Sequence, residues 1–364
     1  MRAHYLKRPR AAADHKSVFK RSRSSKSAPV VGVELDPGHV AAAQVRVNGA
    51  LTVDRGAVAE LRPGIVRDGE VVDGPALSEA LRELFAAHEL PSAVRLGIAH
   101  QRIVARTLDL HPIGDPKELD AAVREAAPDH IPMPMGEAVL DFQHLGPVAT
   151  PTGPRSRVTI VAVRRETVER LVGVARDAGL HVHGIDLSAF GMVRAVREPA
   201  CEDAVLYVNV AGLTNLAVAN GRGCLFTRAA SGGLDGIAQV LMERRGLTLE
   251  HARQWMTHVG LAAEVEELEG DPQLVAATRQ VLEEGVHQLA DTVRNSLNFY
   301  RMQDSAEAVE RAVLTGPVVA VPGFAERLST QLSLPVEPAM VEAAGDADRP
   351  RLTVAAGLAV EDLA

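Results

Sequence analysis

One pattern occurs twice in this chain, and the repeat restricts it to few folds. Val31 to Arg46, VGVELDPGHVAAAQVR, reads as a strand, a tight polar turn at Asp36-Pro37-Gly38-His39, and a returning strand. Aspartate and glycine suit the turn, and proline presets its backbone angle. Val205 to Ala219, VLYVNVAGLTNLAVA, is again strand, polar turn and strand. Asn48-Gly49 and Asn220-Gly221 then lead each copy into a third strand, and Asn-Gly is the strongest short hairpin signal. Two three-strand meanders about one domain apart predict a duplicated α/β architecture.

The 364 residues suffice for two domains or one large duplicated one. Aromatics are only 3%, so the core must be built from Val, Leu, Ala and Ile. Cys201 and Cys224 form neither a metal pattern nor a disulfide framework, which fits a reducing compartment. The sequence has no apolar run of membrane-spanning length and no signal-peptide core, so a cytosolic protein is expected. Charge is uneven. Residues 1–28 hold nine Lys or Arg and one acid, Asp14, although the whole chain carries −8. This serine-rich basic stretch is expected to be a disordered tail able to touch anionic membrane. No nucleic-acid partner is expected.

Helix signals punctuate the rest. Asp73 or Gly74 caps a helix carrying Leu77, Leu81 and Leu84. Asp115 caps another over Pro116 to Ala127, with Leu119, Val123 and Ala126 as its buried stripe. Ile131-Pro132-Met133-Pro134 breaks regular structure before a strand at Ala138–Leu145. Arg157–Arg165 is a strand feeding a helix that Gly179 ends, and HVHGIDL follows as a strand. Downstream, Leu234 to Arg245, Leu249 to Val259 and Pro272 to Gln303 read as helices, with an exposed acidic segment at Glu264 to Asp271. Ala312–Thr315 is a strand, and Leu352 to Leu363 closes the chain. His181 and His183 share a strand face without a third metal ligand. No P-loop, G-x-S-x-G or H-E-x-x-H pattern occurs.

These residues resemble the PilM family, the actin-like cytosolic component of type IV pilus assembly. Ala126–Gln143, APDHIPMPMGEAVLDFQ, is similar to the family's I-P-x-P break and following V-L-D-x-Q strand. Leu297–Gln303, LNFYRMQ, is similar to its S-L-D-F-Y-R-x-Q. Ser231-Gly232-Gly233, with Gly246-Leu247-Thr248 and Glu250-His251-Ala252, resembles its GG turn and helix pair. Leu314-Thr315-Gly316 and Val321-Pro322-Gly323-Phe324 resemble its L-x-G-G-G-x-x-x-P-G-L segment.

The resemblance implies an actin-like ATPase fold, two ribonuclease H-like halves with a small α/β subdomain inserted in the first. The first half is expected over 29–92 and 184–200, the insert over 93–183, and the second half over 201–236 and 309–364. A helical subdomain is expected over 237–308. The resemblance also implies ATP with magnesium in a cleft. Phosphates would meet hairpin N–H groups, and carboxylates would hold the hydrated metal. Glu34, Asp36, Gly38, Asn209, Gly212, Thr214, Gly232, Gly233 and Gly316 take those positions, with Glu34 toward magnesium.

The sequence departs from the family at each loop. Asp36 replaces a glycine and brings a carboxylate toward the expected phosphates; Pro37 removes an N–H, and Ala41 replaces a lysine. Asn209 is an amide in place of the second acid, and Pro317-Val318 follow Gly316. The expectation is an eroded nucleotide site with weak or absent ATP binding, and no catalytic residue. The implied role is a scaffold for the cytosolic tail of a PilN-like inner-membrane protein. By position the tail would bind near Pro116 to Gln143. An active actin-like ATPase would need the second acid, and a cell-division membrane tether would need an amphipathic C-terminal helix. Leu352–Ala364, with Glu361 and Asp362, has no basic face.

Overall fold

Val31–Leu35 (β1) is buried at every residue, because it has a strand on each side and helices on its faces. The computed structural model describes residues 30–198, 201–345 and 347–360; the basic tail and Asp362 lie outside them. β1, His39–Asn48 (β2) and Ala50–Glu60 (β3) form an antiparallel meander. Gly49 turns β2 into β3 with a positive φ of 78°, which glycine adopts freely. A short hairpin, Val66–Arg67 (β4) and Glu70–Val71 (β5), precedes helix Gly74–Ala87 (α1). The Asp73 side chain caps α1 at the N–H of Ala76. Ala93–Ile98 (β6) then joins β1 in parallel.

The chain next leaves this sheet. Val104–Leu110 (β7), Pro116–His130 (α2), Ala138–Thr150 (β8) and Gly153–Arg164 (β9) build a separate three-stranded sheet, order β7-β9-β8. Leu119, Val123 and Ala127 of α2 pack in that sheet's own core. Arg165–Asp177 (α3) leads back to His181–Leu187 (β10), which pairs with β6, and Ser188–Val196 (α4) follows.

The second half repeats the plan. Ala204–Val210 (β11), Thr214–Asn220 (β12) and Gly223–Ala230 (β13) form the meander. Helices Leu234–Arg245 (α5), Leu249–Val259 (α6) and Pro272–Arg301 (α7) follow, with a 3-10 turn at Val265–Glu267. Val309–Thr315 (β14), Phe324–Leu332 (α8) and Val336–Pro338 (β15) complete it. Glu342–Ala343 (β16) pairs with β3 across the molecule, and Arg349–Leu358 (α9) ends the described chain. The two sheets run β10-β6-β1-β2-β3-β16 and β13-β12-β11-β14-β15. The second is therefore a meander extended by two parallel strands, and the first is the same plan with β16 added in parallel at its far edge. In the second half α8 connects β14 directly to β15, whereas in the first β7 to β9 is interposed before α3.

Two helices lock the halves together. Ala189, Met192 and Val193 of α4 share a core with Tyr207 and Ala217 of the second sheet and Val354 and Leu358 of α9. Leu352, Ala355 and Ala356 of α9 pack on Ala41, Ala43 and Val53 of the first sheet. Three features depart from the sequence reading. Ala127, not Ala126, completes the buried stripe, because α2 continues to His130 with Pro128 inside its last turn. α4 was not expected from its nine apolar-rich residues. The closing segment is a helix, and it begins at Arg349, three residues earlier than Leu352.

The crossing of α4 and α9 makes a testable demand. A Cβ on Gly357 would lie 1.8 Å from the Gly191 carbonyl oxygen. Helix propensity alone would favour alanine by about 1 kcal/mol, but forced overpacking costs about 1–3 kcal/mol. Gly357→Ala is therefore expected to lower the urea midpoint; a raised midpoint would show that the crossing tolerates a methyl group.

Candidate functional site

The two meander turns meet, and one side chain joins them. β1 and β2 are held in register up to Leu35 and Val40, so the turn between them projects from the sheet end. Within it the Asp36 N–H donates to the His39 carbonyl at 3.0 Å, and the Gly38 N–H donates to Asp36 Oδ1 at 3.1 Å. The turn between β11 and β12 faces it. There the Gly212 N–H lies 2.9 and 3.1 Å from the two Asp36 carboxylate oxygens, and the Leu213 N–H donates to Oδ2 at 3.2 Å. One carboxylate thus takes main-chain donors from turns 176 residues apart in sequence. It is 3% exposed, and His39 Nδ1 stands 3.5 Å from Oδ1.

The electrostatics follow from this burial. Burial alone would raise the Asp36 pKa, but His39 and the N–H groups of Gly38 and Leu213 hold it below the usual carboxylate value. Burial lowers His39, and Asp36 and Glu34 more than reverse that, so its pKa is raised. Glu34 is pushed up to about 8, first by burial and then by Asp36, with His39 opposing. At neutral pH Glu34 is therefore a neutral acid, while Asp36 is an anion.

The other expected residues gather around the same contact. Thr214 Oγ1 donates to the Gly232 carbonyl at 2.8 Å. A Cβ on Gly233 would lie 2.3 Å from the Ala211 carbonyl oxygen, so this glycine lets the loop before α5 close onto the second turn. A Cβ on Gly316 would lie 2.7 Å from Asn209 Oδ1. Asn209 Nδ2, Thr315 Oγ1 and His39 Nε2 are buried without a hydrogen-bond partner. Thr214, Gly232 and Gly233 also border a cavity of about 250 Å³ lined by α5 and α7. Among the described residues no group of His, Cys, Asp and Glu could hold a metal ion, and His181 and His183 are exposed.

Sequence reasoning missed a second set. A Cβ on Gly38 would lie 2.0 Å from Asp235 Oδ2. Asp235 accepts from Arg253 Nε at 2.8 Å, and Arg253 also donates to Glu60 at 2.6 Å. Arg351 donates to the other Glu60 oxygen at 2.6 Å. This chain of charges runs from α5 and α6 to the end of β3 and on to α9. It uses residues far apart in sequence, so no local motif marks it.

A family described as type IV pilus assembly protein PilM matches residues 32–362. Among solved structures, a PilM–PilN type IV pilus biogenesis complex is 24% identical with a TM-score of 0.73, covering 91% of this chain and 98% of that one. The ethanolamine utilization protein EutJ from Carboxydothermus hydrogenoformans is 17% identical with a TM-score of 0.52, over 91% and 88%. MreB5 of Spiroplasma citri, bound to ADP, is 12% identical with a TM-score of 0.52, over 90% and 94%. At these identities the structural likeness carries the fold, which is actin-like.

The titration of the buried groups can be measured. Between pH 4.5 and about 8 the folded chain keeps the Glu34 proton that the unfolded chain releases, so stability falls as pH rises across that window. His39, raised above 6.5, acts in the same direction, its contribution fading as pH climbs through its folded pKa. Glu34→Gln is expected to flatten the decline in urea midpoint between those limits. A slope identical to that of the unmodified protein would show that Glu34 ionises normally.

Proposed function

The chain belongs to the PilM family of type IV pilus assembly proteins, and from that premise we propose that it is a scaffold. In this reading it binds the cytosolic tail of a PilN-like inner-membrane protein and works without a nucleotide switch. No helix among the described residues is long and apolar enough to cross a membrane, so attachment through a membrane partner fits. The basic stretch 1–28 would add attraction to anionic lipid.

The observation that carries the nucleotide part is Asp36. The N–H groups of Gly212 and Leu213, which a phosphate would need, already donate to its carboxylate. A phosphate would have to displace a buried like charge, which is strongly unfavourable. Asn209 offers an amide, and Arg253 is committed to Asp235 and Glu60. The residues present do not fit ATP with magnesium. Glu34, Gly38, Asn209, Thr214, Gly232, Gly233 and Gly316 are read as a cleft kept for its geometry.

For the partner tail we favour the cleft where the inserted sheet meets the first half. It is about 190 Å³ and is bordered by Leu35, Val66, Val71, Ile98, Arg170 and Leu171. Sequence position alone pointed to Pro116–Gln143, across the same subdomain. Leu35 lines this cleft and is the neighbour of Asp36, so a bound peptide would press on the strand that carries the inter-half contact.

Two measurements test the reading. A synthetic peptide of the PilN-like partner's N-terminus should bind at micromolar affinity, about −8 kcal/mol, and Thr167→Trp, in the cleft wall, should weaken it at least about tenfold, a loss of 1.4 kcal/mol. No heat on mixing, and no competition with the full-length partner, would remove the scaffold assignment. Separately, ATP with magnesium should give no thermal shift in the unmodified protein. Asp36→Gly combined with Asn209→Asp should gain one. Micromolar ATP binding by the unmodified chain would restore a nucleotide switch.

A further inference from the structure

Two edge strands come close to one another without pairing. β7 and β13 are each the outermost strand of their sheet. Side chains of the inserted sheet hold β13: Thr107 Oγ1 of β7 donates to the Leu225 carbonyl at 2.8 Å, and Thr159 Oγ1 of β9 to that of Cys224 at 2.7 Å. No main-chain hydrogen bond joins β7 to β13. Past that contact the edges part into a groove of about 550 Å³. Phe226 and Phe299 line it with Arg102, Arg106, Arg164 and Arg228, and no carboxylate does. Phe299 is 46% exposed, and the Arg106 guanidinium lies 5.7 Å from its ring centre. Among the described residues only Arg102 meets an acid, the exposed Glu70. Open strand edges beside exposed aromatic surface are features that proteins ordinarily cover.

The complement lies in the same chain. Glu264, Glu266, Glu267 and Glu269 are exposed, with Val265 and Leu268 half-buried between them. Among the described residues none of these four carboxylates has an ion-pair partner. The segment sits directly before Asp271, the N-cap of α7. Phe299 sits in the last turn of that 30-residue helix. At 1.5 Å per residue the helix spans about 45 Å, so acidic segment and arginine groove lie at opposite ends of one rigid rod. A chain cannot fill its own groove with this segment, but a second copy can.

We propose that copies of this chain associate head to tail, residues 264–269 of one seated in the β7–β13 groove of the next. The carboxylates meet the unpaired arginines, and Val265 and Leu268 meet Phe226 and Phe299. The contact is heterologous, so each addition leaves one groove and one acidic segment open, and assembly continues as a row. The ion pairs are solvent-facing, so the association is weak and salt-dependent.

Sedimentation velocity of the full chain tests this. The weight-average mass should rise with concentration at about 50 mM salt and return to monomer at about 500 mM. Arg106→Glu with Arg228→Glu should stay monomeric, as should Glu266→Lys with Glu267→Lys. An equimolar mixture of these two variants should associate as an alternating row, because their unaltered ends fit each other and so do their two reversed ends. All four substitutions in one chain should restore association. Melting temperatures confirm folding; if a variant fails to fold, a synthetic peptide of residues 262–272 replaces it and should bind the unmodified protein at low salt and block its association. A monomer at every concentration overturns the proposal. So does loss of association in the Glu variant pair with none in the Arg pair, which would give the acidic segment another partner such as residues 1–28. Loss of binding to anionic vesicles in the Arg pair, with association intact, would make the groove a lipid site and likewise overturn it.

Discussion

The arrangement of this molecule depends on a carboxylate buried where two turns meet. Each half has its own apolar core, one centred on β11 to β14 with α5 to α8 and one on β1, β6 and α1. At the base α4 and α9 fasten the halves by close helix packing. At the mouth the fastening is polar: Asp36 to Gly212 and Leu213, then Glu60 to Arg253. Removing the Asp36 carboxylate would leave several buried N–H groups unpaired, each costing about 1–3 kcal/mol. That asymmetry, more than the net worth of the bonds when made, is what holds the mouth closed. The same carboxylate sets the protonation of its neighbours, since it raises both His39 and Glu34.

The meanders were legible because Asn-Gly turns and alternating apolar residues are local signals, and β1 to β3 and β11 to β13 follow them closely. The caps at Asp73, Asp115 and Asp271 were legible or lay at expected helix starts for the same reason. α4 was not. It is wedged between the second sheet and α9 and is only nine residues long, shorter than the stretch over which a helical period becomes recognisable. β16 is two residues long and exists only because β3 offers an edge. Asp235, Arg253 and Glu60 meet only after three distant elements have packed, and a sequence pattern has no means of announcing that.

Family resemblance supplied the positions of the cleft residues but not their state. Asp36 was read as a carboxylate near the expected phosphates, a matter of repulsion. The geometry adds that it has donors of its own. A negative side chain in a ring of N–H groups is satisfied, whereas the same side chain beside a phosphate would be in conflict. Pro37 fits the same picture. It lacks an N–H to give to a ligand, but its fixed φ stiffens the turn, and its ring lies 3.1 Å from where a Cβ on Gly212 would stand.

That distance bears on how glycines in such loops are interpreted. A glycine in a phosphate-binding turn is ordinarily explained by the need for backbone to approach the ligand. At Gly212 a Cβ would lie 2.2 Å from Asp36 Oδ1, so the side chain of this protein imposes the same restriction without any ligand. Gly38 is equally confined by Asp235, and Gly233 by the Ala211 carbonyl. Gly38, Gly212 and Gly233, which help make the loops resemble a nucleotide site, are each required by a contact between the protein's own groups. Their presence is therefore no evidence for a nucleotide here; the residues that discriminate are Asp36 and Asn209, because they change the charge that the two turns present to each other.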